Sequence, residues 1–217
     1  MPFENRAEAA HQLARRLDRY RGKHPLVLAI PRGAAPMGKI LADALDGELD
    51  LVLVRKLGAP DNPELAIGSI DETGAVYIDP DTRDLWDTPY LEAEKKAQIE
   101  TLRRRRQMYQ PLGSPIDAAG RIAIVLDDGV ATGSTMIAAL RAVRARKPAT
   151  LIAATGVASA DALRMIQREA DDVVCLEVPD VLFAIGYHFR DFSQVSDEDV
   201  VATLTEARRP RTATGAA

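Results

Sequence analysis

The stretch "RIAIVLDDGVATGSTMIAALRAVRAR" (residues 121–146) decides how the chain is read. An apolar run of strand length, 121–126, meets the adjacent carboxylates Asp127 and Asp128. A short loop with two glycines and three hydroxyl residues follows, and from Thr135 the apolar residues fall at helical spacing. Such a loop offers consecutive backbone N–H groups at the start of a helix, where the helix dipole favours an anion. Two negative charges directly before it cannot serve that same anion. Their natural partners are a vicinal diol or a Mg²⁺ ion, and a phosphate beside a diol describes a ribose 5-phosphate.

The unit recurs on both sides. "PLVLAI" (25–30) leads through "PRGAAP" (31–36) into the helical "MGKILADAL" (37–45), and "TLIAAT" (150–155) leads into "GVASADALRMIQREA" (156–170). "LDLVLV" (49–54) reads as a further strand followed by "RKLGAPDNPE", and "DVVCLEV" (172–178) as a last one. Continuous apolar runs followed by helices predict an α/β fold: a parallel twisted sheet flanked by helices, with its site at the carboxyl ends of the strands. The pattern breaks at "SIDETGAVYI" (69–78), a hairpin turning near Glu72 to Gly74, and at a long polar helix over 87–112 ended by Pro111. A single domain over 1–206 is expected, with a core of about 24–180, an insertion of about 69–118, and a disordered tail at 207–217.

Composition narrows the function classes. The 217 residues carry a net charge of −4, so no basic face for nucleic acid is expected. The run Arg103 to Arg106 points nearly all round its helix, behind Glu92, Glu94 and Glu100, and reads as solvated or ion-paired. The one cysteine, Cys175, excludes an internal disulfide. With no leader-like start and nothing near the roughly 18 consecutive apolar residues of a membrane span, a cytoplasmic protein with no membrane partner is expected.

Two familiar phosphate loops do not fit. A triphosphate P-loop needs Gly-Lys-Ser/Thr, and here Gly133 is followed directly by Ser134. The dinucleotide fingerprint places its acidic residue about 20 positions after the glycines, not before them.

"IAIVLDDGVATGSTM" instead resembles the phosphoribosyl pyrophosphate (PRPP) motif of type I phosphoribosyltransferases. The resemblance implies that fold, a Rossmann-like core with a hood, and transfer of phosphoribosyl from PRPP to a nitrogenous base with Mg²⁺ and loss of pyrophosphate. It places Asp127, Asp128, Ala131, Thr132, Gly133, Ser134 and Thr135 on PRPP, with Mg²⁺ near the two aspartates through PRPP and not bound by the protein alone. Arg32 and Gly33 match the pyrophosphate loop, and Arg55 and Lys56 the basic pair that opens a mobile catalytic lid. A homodimer is implied by the same analogy.

Departures from the pattern bear on the acceptor. Members acting on 6-oxopurines place a general-base Asp where Ala131 stands, so hypoxanthine or guanine is not expected. Gly129 replaces a bulky apolar residue, which suggests a looser loop. The acceptor hood is expected from the N-terminal helix and 180–200, where Phe183, Tyr187 and Phe189 could form an aromatic floor. His188 receives no catalytic role. The motifs "F-x-[DN]-R" at Phe3 to Arg6 and "F-x-x-F-x-Q-V-[ST]-D" at Phe189 to Asp197 resemble those of a group of bacterial phosphoribosyltransferase-like proteins. A PRPP or nucleotide sensor without catalysis is the alternative on the same fold. A phosphosugar hydrolase would need a water-activating base that the sequence does not offer.

Overall fold

The structure is a computed structural model and describes residues 2–59, 62–78, 88–109 and 114–209. Its core is a parallel sheet of β1 (Leu26–Ala29), β2 (Glu48–Leu51), β6 (Ile122–Val130), β7 (Thr150–Ala158) and β8 (Asp172–Glu177), in the order β2-β1-β6-β7-β8. The apolar runs lack alternation because both faces are covered. Val27, Ala29, Ile124 and Leu126 pack with Leu13 of α1 (Arg6–Arg16) and Met37 and Leu41 of α2 (Ala34–Ala44). Their chain neighbours Leu26, Leu28, Ala123 and Val125 pack on the other side. There they meet Met136, Leu140 and Val143 of α4 (Ser134–Ala145) and Ala162 of α5 (Ala160–Ile166). Helix α6 (Asp197–Ala207) adds Val200 and Leu204 to the first layer.

The strand order reverses between β1 and β6. From β1 the chain moves outward to β2, and from β6 it moves the other way to β7 and β8. Loops leaving such neighbours diverge to opposite faces and open a crevice at their carboxyl ends.

The run 49–54 is not one strand. Parallel pairing with β1 ends at Leu51, and Val54 already begins a second, antiparallel sheet of β3 (Val54–Ala59), β4 (Asn62–Asp71) and β5 (Val76–Ile78). The apolar character continues because Val52 and Leu53 fill opposite core layers at the handover. The departure from the parallel sheet thus starts earlier than position 69. Arg55 and Lys56 lie on a paired strand, not in the lid loop expected of them; Pro60 and Asp61 of that expected lid lie outside the described residues. The β4–β5 turn falls where the sequence places it: Asp71 Oδ1 accepts from Thr73 N, Thr73 Oγ1 and Ala75 N, and Gly74 takes a φ of +88°. The long helix α3 spans Thr88–Met108; Pro111, its expected stop, lies outside the described residues, as do 210–217 of the expected tail.

One residue of the arginine run is buried. Arg106 donates from Nη2 to Asp50 Oδ1 and Oδ2 at 2.8 and 3.1 Å, and from Nη1 to Glu72 Oε1 at 3.2 Å. It joins α3 and the second sheet to β2. Burial pushes the Glu72 carboxyl up to about 7, against the partial relief that Arg106 gives, and raises Asp71 as well. Glu72 Oε2 is buried without a hydrogen-bond partner. The folded state therefore binds a proton at Glu72 that the unfolded chain has released between pH 4.5 and about 7. Its contribution to stability is present below pH 4.5 and is lost as pH rises through 7. Glu72→Gln is expected to flatten this part of the stability profile and to raise stability at pH 8 by about 1–3 kcal/mol, read by urea unfolding at several pH values. An unchanged profile would show that Glu72 stays ionised.

Candidate functional site

Strand β6 does not stop at the aspartates. Its pairing with β1 ends at Leu126, opposite Ala29, whereas pairing with β7 continues through Asp127, Gly129 and Val130. Residues 127–130 are thus bridged by a strand on one side only. The other side borders the crevice between β1 and β6.

Helix N-termini mark the same place. Asn5, Ser159 and Ser196 cap α1, α5 and α6 through their side chains. At α2 and α4, the helices that leave β1 and β6, the caps are Gly33 and Gly133, and neither has a side-chain cap bond. At α4 the helix-end N–H groups, with their favourable dipole, face outward for an anion; at α2, Ala35 N already donates to Arg32 O at 3.1 Å and Pro36 has no N–H, so that end offers fewer amides. Gly133 has a φ of +81°, a conformation that L side chains rarely adopt, and it turns the loop into α4. Ala131, Thr132 and Thr135 are exposed, Ser134 is half-buried, and Thr132 Oγ1 lies 3.3 Å from Ser134 Oγ. Ala131 is held through its carbonyl, which accepts from Ser159 Oγ at 2.7 Å.

The two carboxylates differ. Asp127 accepts from the Asp128 amide at 2.9 Å, and its carboxyl is held well above the usual carboxylate range, first by burial and then by the charge of Asp128 beside it. Asp128 Oδ2 accepts from Arg6 Nε at 2.8 Å, with both side chains only 14% exposed. Gly33 closes over the same oxygen: a Cβ there would sit 2.0 Å from Asp128 Oδ2. The Arg32 and Gly33 turn and the aspartate pair are therefore brought together.

Arg32 lies 3.4 Å from Asp197, which also accepts from Tyr109 Oη at 2.6 Å. Both charged side chains are about one-third exposed, at 37% and 33%, so this pair holds Arg32 by no more than about 1 kcal/mol and releases it readily to a better anion. The basic pair divides. Successive residues of a strand face opposite sides; Lys56 lines a cavity of about 250 Å³ with Ser134, Ile137 and Arg141, and Arg55 does not line it.

The expected aromatic floor is corrected at one position. Phe183 and Tyr187 are 83% and 77% exposed, but Phe189 is buried between Phe3 and Phe192, with ring centroids 5.2 and 4.9 Å away. Its faces are spent on packing, so it offers none to a base. The looseness expected at Gly129 is also absent: a Cβ there would meet Ile185 Cγ2 at 2.2 Å, so Ile185 fills the space of a larger side chain. His188 contacts Glu177 at 3.2 Å. Burial pushes the Cys175 thiol up to about 11, which leaves no thiolate nucleophile. Two neighbours of the site were given no part in it by the sequence: Arg6, which ends the Phe3 to Arg6 motif and lies 122 positions from Asp128, and Ile185.

Among the described residues no group of three or more His, Cys, Asp or Glu side chains comes together to hold a metal unaided. Two adjacent carboxylates fit a Mg²⁺ carried by a diphosphate, an ion that keeps few protein ligands. Among the described residues no helix is long and apolar enough to cross a membrane.

The chain is thus an α/β protein with a parallel sheet, with a carboxylate pair and the α4 N-terminus at its switch point. The sequence pattern of the phosphoribosyl transferase domain matches residues 3–191, and the chain belongs to that family. It is 38% identical over 216 residues to the Mycobacterium tuberculosis H37Rv protein named "Putative phosphoribosyl transferase Rv0571c", covering 99% of this chain and 49% of that one. The chain thus spans about half the length of the curated relatives it matches. The crystal structure of TT1426 from Thermus thermophilus superposes with a TM-score of 0.87 at 39% identity, over 95% of this chain and 99% of that one.

Proposed function

We propose that the protein is a phosphoribosyltransferase that takes PRPP and passes the phosphoribosyl group to a nitrogenous base. The observation that carries this reading is one carboxylate pair met by the α4 N-terminus, which no side chain caps, and by the Arg32 and Gly33 turn that closes over Asp128. A ligand with two anionic ends and a diol between them satisfies all three. The loop 131–135 receives the 5-phosphate, the turn at Arg32 and Gly33 receives the pyrophosphate, and Asp127 and Asp128 accept from the ribose hydroxyls.

The bond from C1 of the ribose to the pyrophosphate oxygen breaks as the bond to the acceptor nitrogen forms. Negative charge grows on the leaving group and positive charge on the sugar ring. Arg32 and the amides of Gly33 and Ala34 stabilise the first, and the carboxylates the second. A Mg²⁺ on the diphosphate, faced by Asp127 and Asp128, neutralises charge on the leaving group when bound. Lys56, beside Ser134, is placed to close over the phosphate end. Arg55, exposed on the neighbouring position of β3, is given no part in this scheme. Phe183 and Tyr187 stay as the acceptor's aromatic neighbours, and Ala131 supports an acceptor other than a 6-oxopurine.

Titration calorimetry with PRPP and Mg²⁺, followed by pyrophosphate release against a panel of bases, tests the proposal. Saturable binding is expected, with Asp128→Asn weakening ribose 5-phosphate at least about tenfold, the cost of a hydrogen bond to a charged group. Absence of PRPP binding would end the proposal; binding without turnover on any base would transfer it to a sensor.

A further inference from the structure

Arg6 stands outside every motif assigned to the ligand, yet it touches the centre of the site. Its Nε donates to Asp128 Oδ2 at 2.8 Å, its Nη1 donates to the Ser193 carbonyl at 2.7 Å, and its plane lies 3.8 Å over the Phe192 ring. Its Nη2 reaches within 3.2 Å of the position that a Cβ on Gly33 would take. The anchors on Ser193 and Phe192 are themselves built on a clasp of the two end segments. Phe3 N donates to His188 O, Arg190 N donates to Phe3 O, and the rings pack in series, Phe3 tilted against Phe189 and Phe189 stacked on Phe192. A guanidinium fixed on three sides has little rotamer freedom left to lose, and it presents its Nε–H to the carboxylate in one orientation.

We propose that Arg6 is a positioning residue of the sugar subsite: it holds Asp128 in place for the ribose diol and makes the docking of both end segments a condition of sugar binding. An ionised carboxylate has about four acceptor positions, and Arg6 takes one of them on Asp128, so acceptor capacity is left for a hydroxyl. The guanidinium orients the carboxylate without displacing the sugar. Residues from four separate segments thereby meet at the sugar subsite: Arg6, Gly33, Asp127 with Asp128, and the Phe192 and Ser193 pair that holds Arg6. The inference rests on the reading of Asp128 given above.

Calorimetry on the full chain separates the two. Ribose 5-phosphate, inorganic phosphate and inorganic pyrophosphate are titrated into the wild type, Arg6→Gln, Arg6→Lys and Asn5→Ala, with thermal unfolding of each. Arg6→Gln is expected to weaken ribose 5-phosphate by about tenfold or more while phosphate and pyrophosphate change less than about twofold. Arg6→Lys, which keeps the charge but loses the planar fork, is expected to recover only part of the loss. Asn5→Ala removes the cap of α1 and lowers stability, but keeps the guanidinium and is expected to bind ribose 5-phosphate as the wild type does. Equal weakening of all three ligands in Arg6→Gln, or a matching loss in Asn5→Ala, would reduce Arg6 to a structural role and overturn the inference. Tighter ribose 5-phosphate binding in Arg6→Gln would overturn it too, by making Arg6 a competitor of the sugar. If the wild type binds no ribose 5-phosphate, the proposed function fails first.

Discussion

Arg106→Ala is expected to destabilise the protein by about 3–5 kcal/mol, the cost of stripping the partner from a buried charge. The guanidinium is 9% exposed and bridges Asp50, whose side chain is wholly buried, and Glu72, at 3%. Without it, both carboxylates stay inside with their remaining partners: the amides of Leu51 and Ile116 for Asp50, and none in hydrogen-bond contact for the second oxygen of Glu72. Since whole domains are stable by about 5–15 kcal/mol, this single change removes a large share. It should lower the midpoint of urea unfolding in proportion, with the second sheet and α3 loosening together. A cost under about 1 kcal/mol would show that water reaches the cluster and solvates the carboxylates.

Gly33→Ala is expected to act the other way, on binding with the fold kept. The backbone at Gly33 has φ −56° and ψ −36°, ordinary helical values that alanine adopts without strain. Glycine stands there for space. An added Cβ would lie 2.0 Å from Asp128 Oδ2 and 2.9 Å from its Cγ, so the carboxylate must move. Displacing it costs one or two charge-assisted hydrogen bonds to the ligand, about ten- to a hundredfold in ribose 5-phosphate affinity. Calorimetry reads this loss, and thermal unfolding should shift by only a few degrees. Unchanged affinity would mean that Asp128 takes no part in holding the sugar.

The parallel sheet was legible in the sequence because its signal is local. The runs at 25–30, 121–126 and 150–155 are buried on both faces, the edge run 172–178 is half-buried, and continuous apolar character of that kind needs no knowledge of the partner. The turn 131–135 into α4 was legible for the same reason, since glycines and hydroxyls before a helical pattern mark it locally, whereas the run of β6 on to Val130 was not. What stayed hidden depends on distant partners. Nothing near Val52 says that the chain changes sheets there, because its apolar residues serve either sheet equally. Phe189 and Phe183 look alike in sequence, and only the rings of Phe3 and Phe192 bury the former. Arg106 looks like its three neighbours until Asp50 and Glu72 are brought to it across the fold.

The open end of α4 has a consequence for how the proposed site drifts over generations. The phosphate contacts proposed there are peptide amides, which every residue except proline supplies; a point mutation in loop 131–135 can crowd them but seldom delete them, and Gly133 is where conformation is most exposed to loss. The proposed sugar end is written in side chains, Asp127, Asp128 and Arg6, each one codon change from losing its chemistry. Exposed Phe183 and Tyr187 carry no structural duty of comparable weight. Mutation therefore meets a durable end, a brittle middle and a free rim in one site, and a lineage can exchange its acceptor at the rim while the grip on the phosphosugar is inherited unchanged.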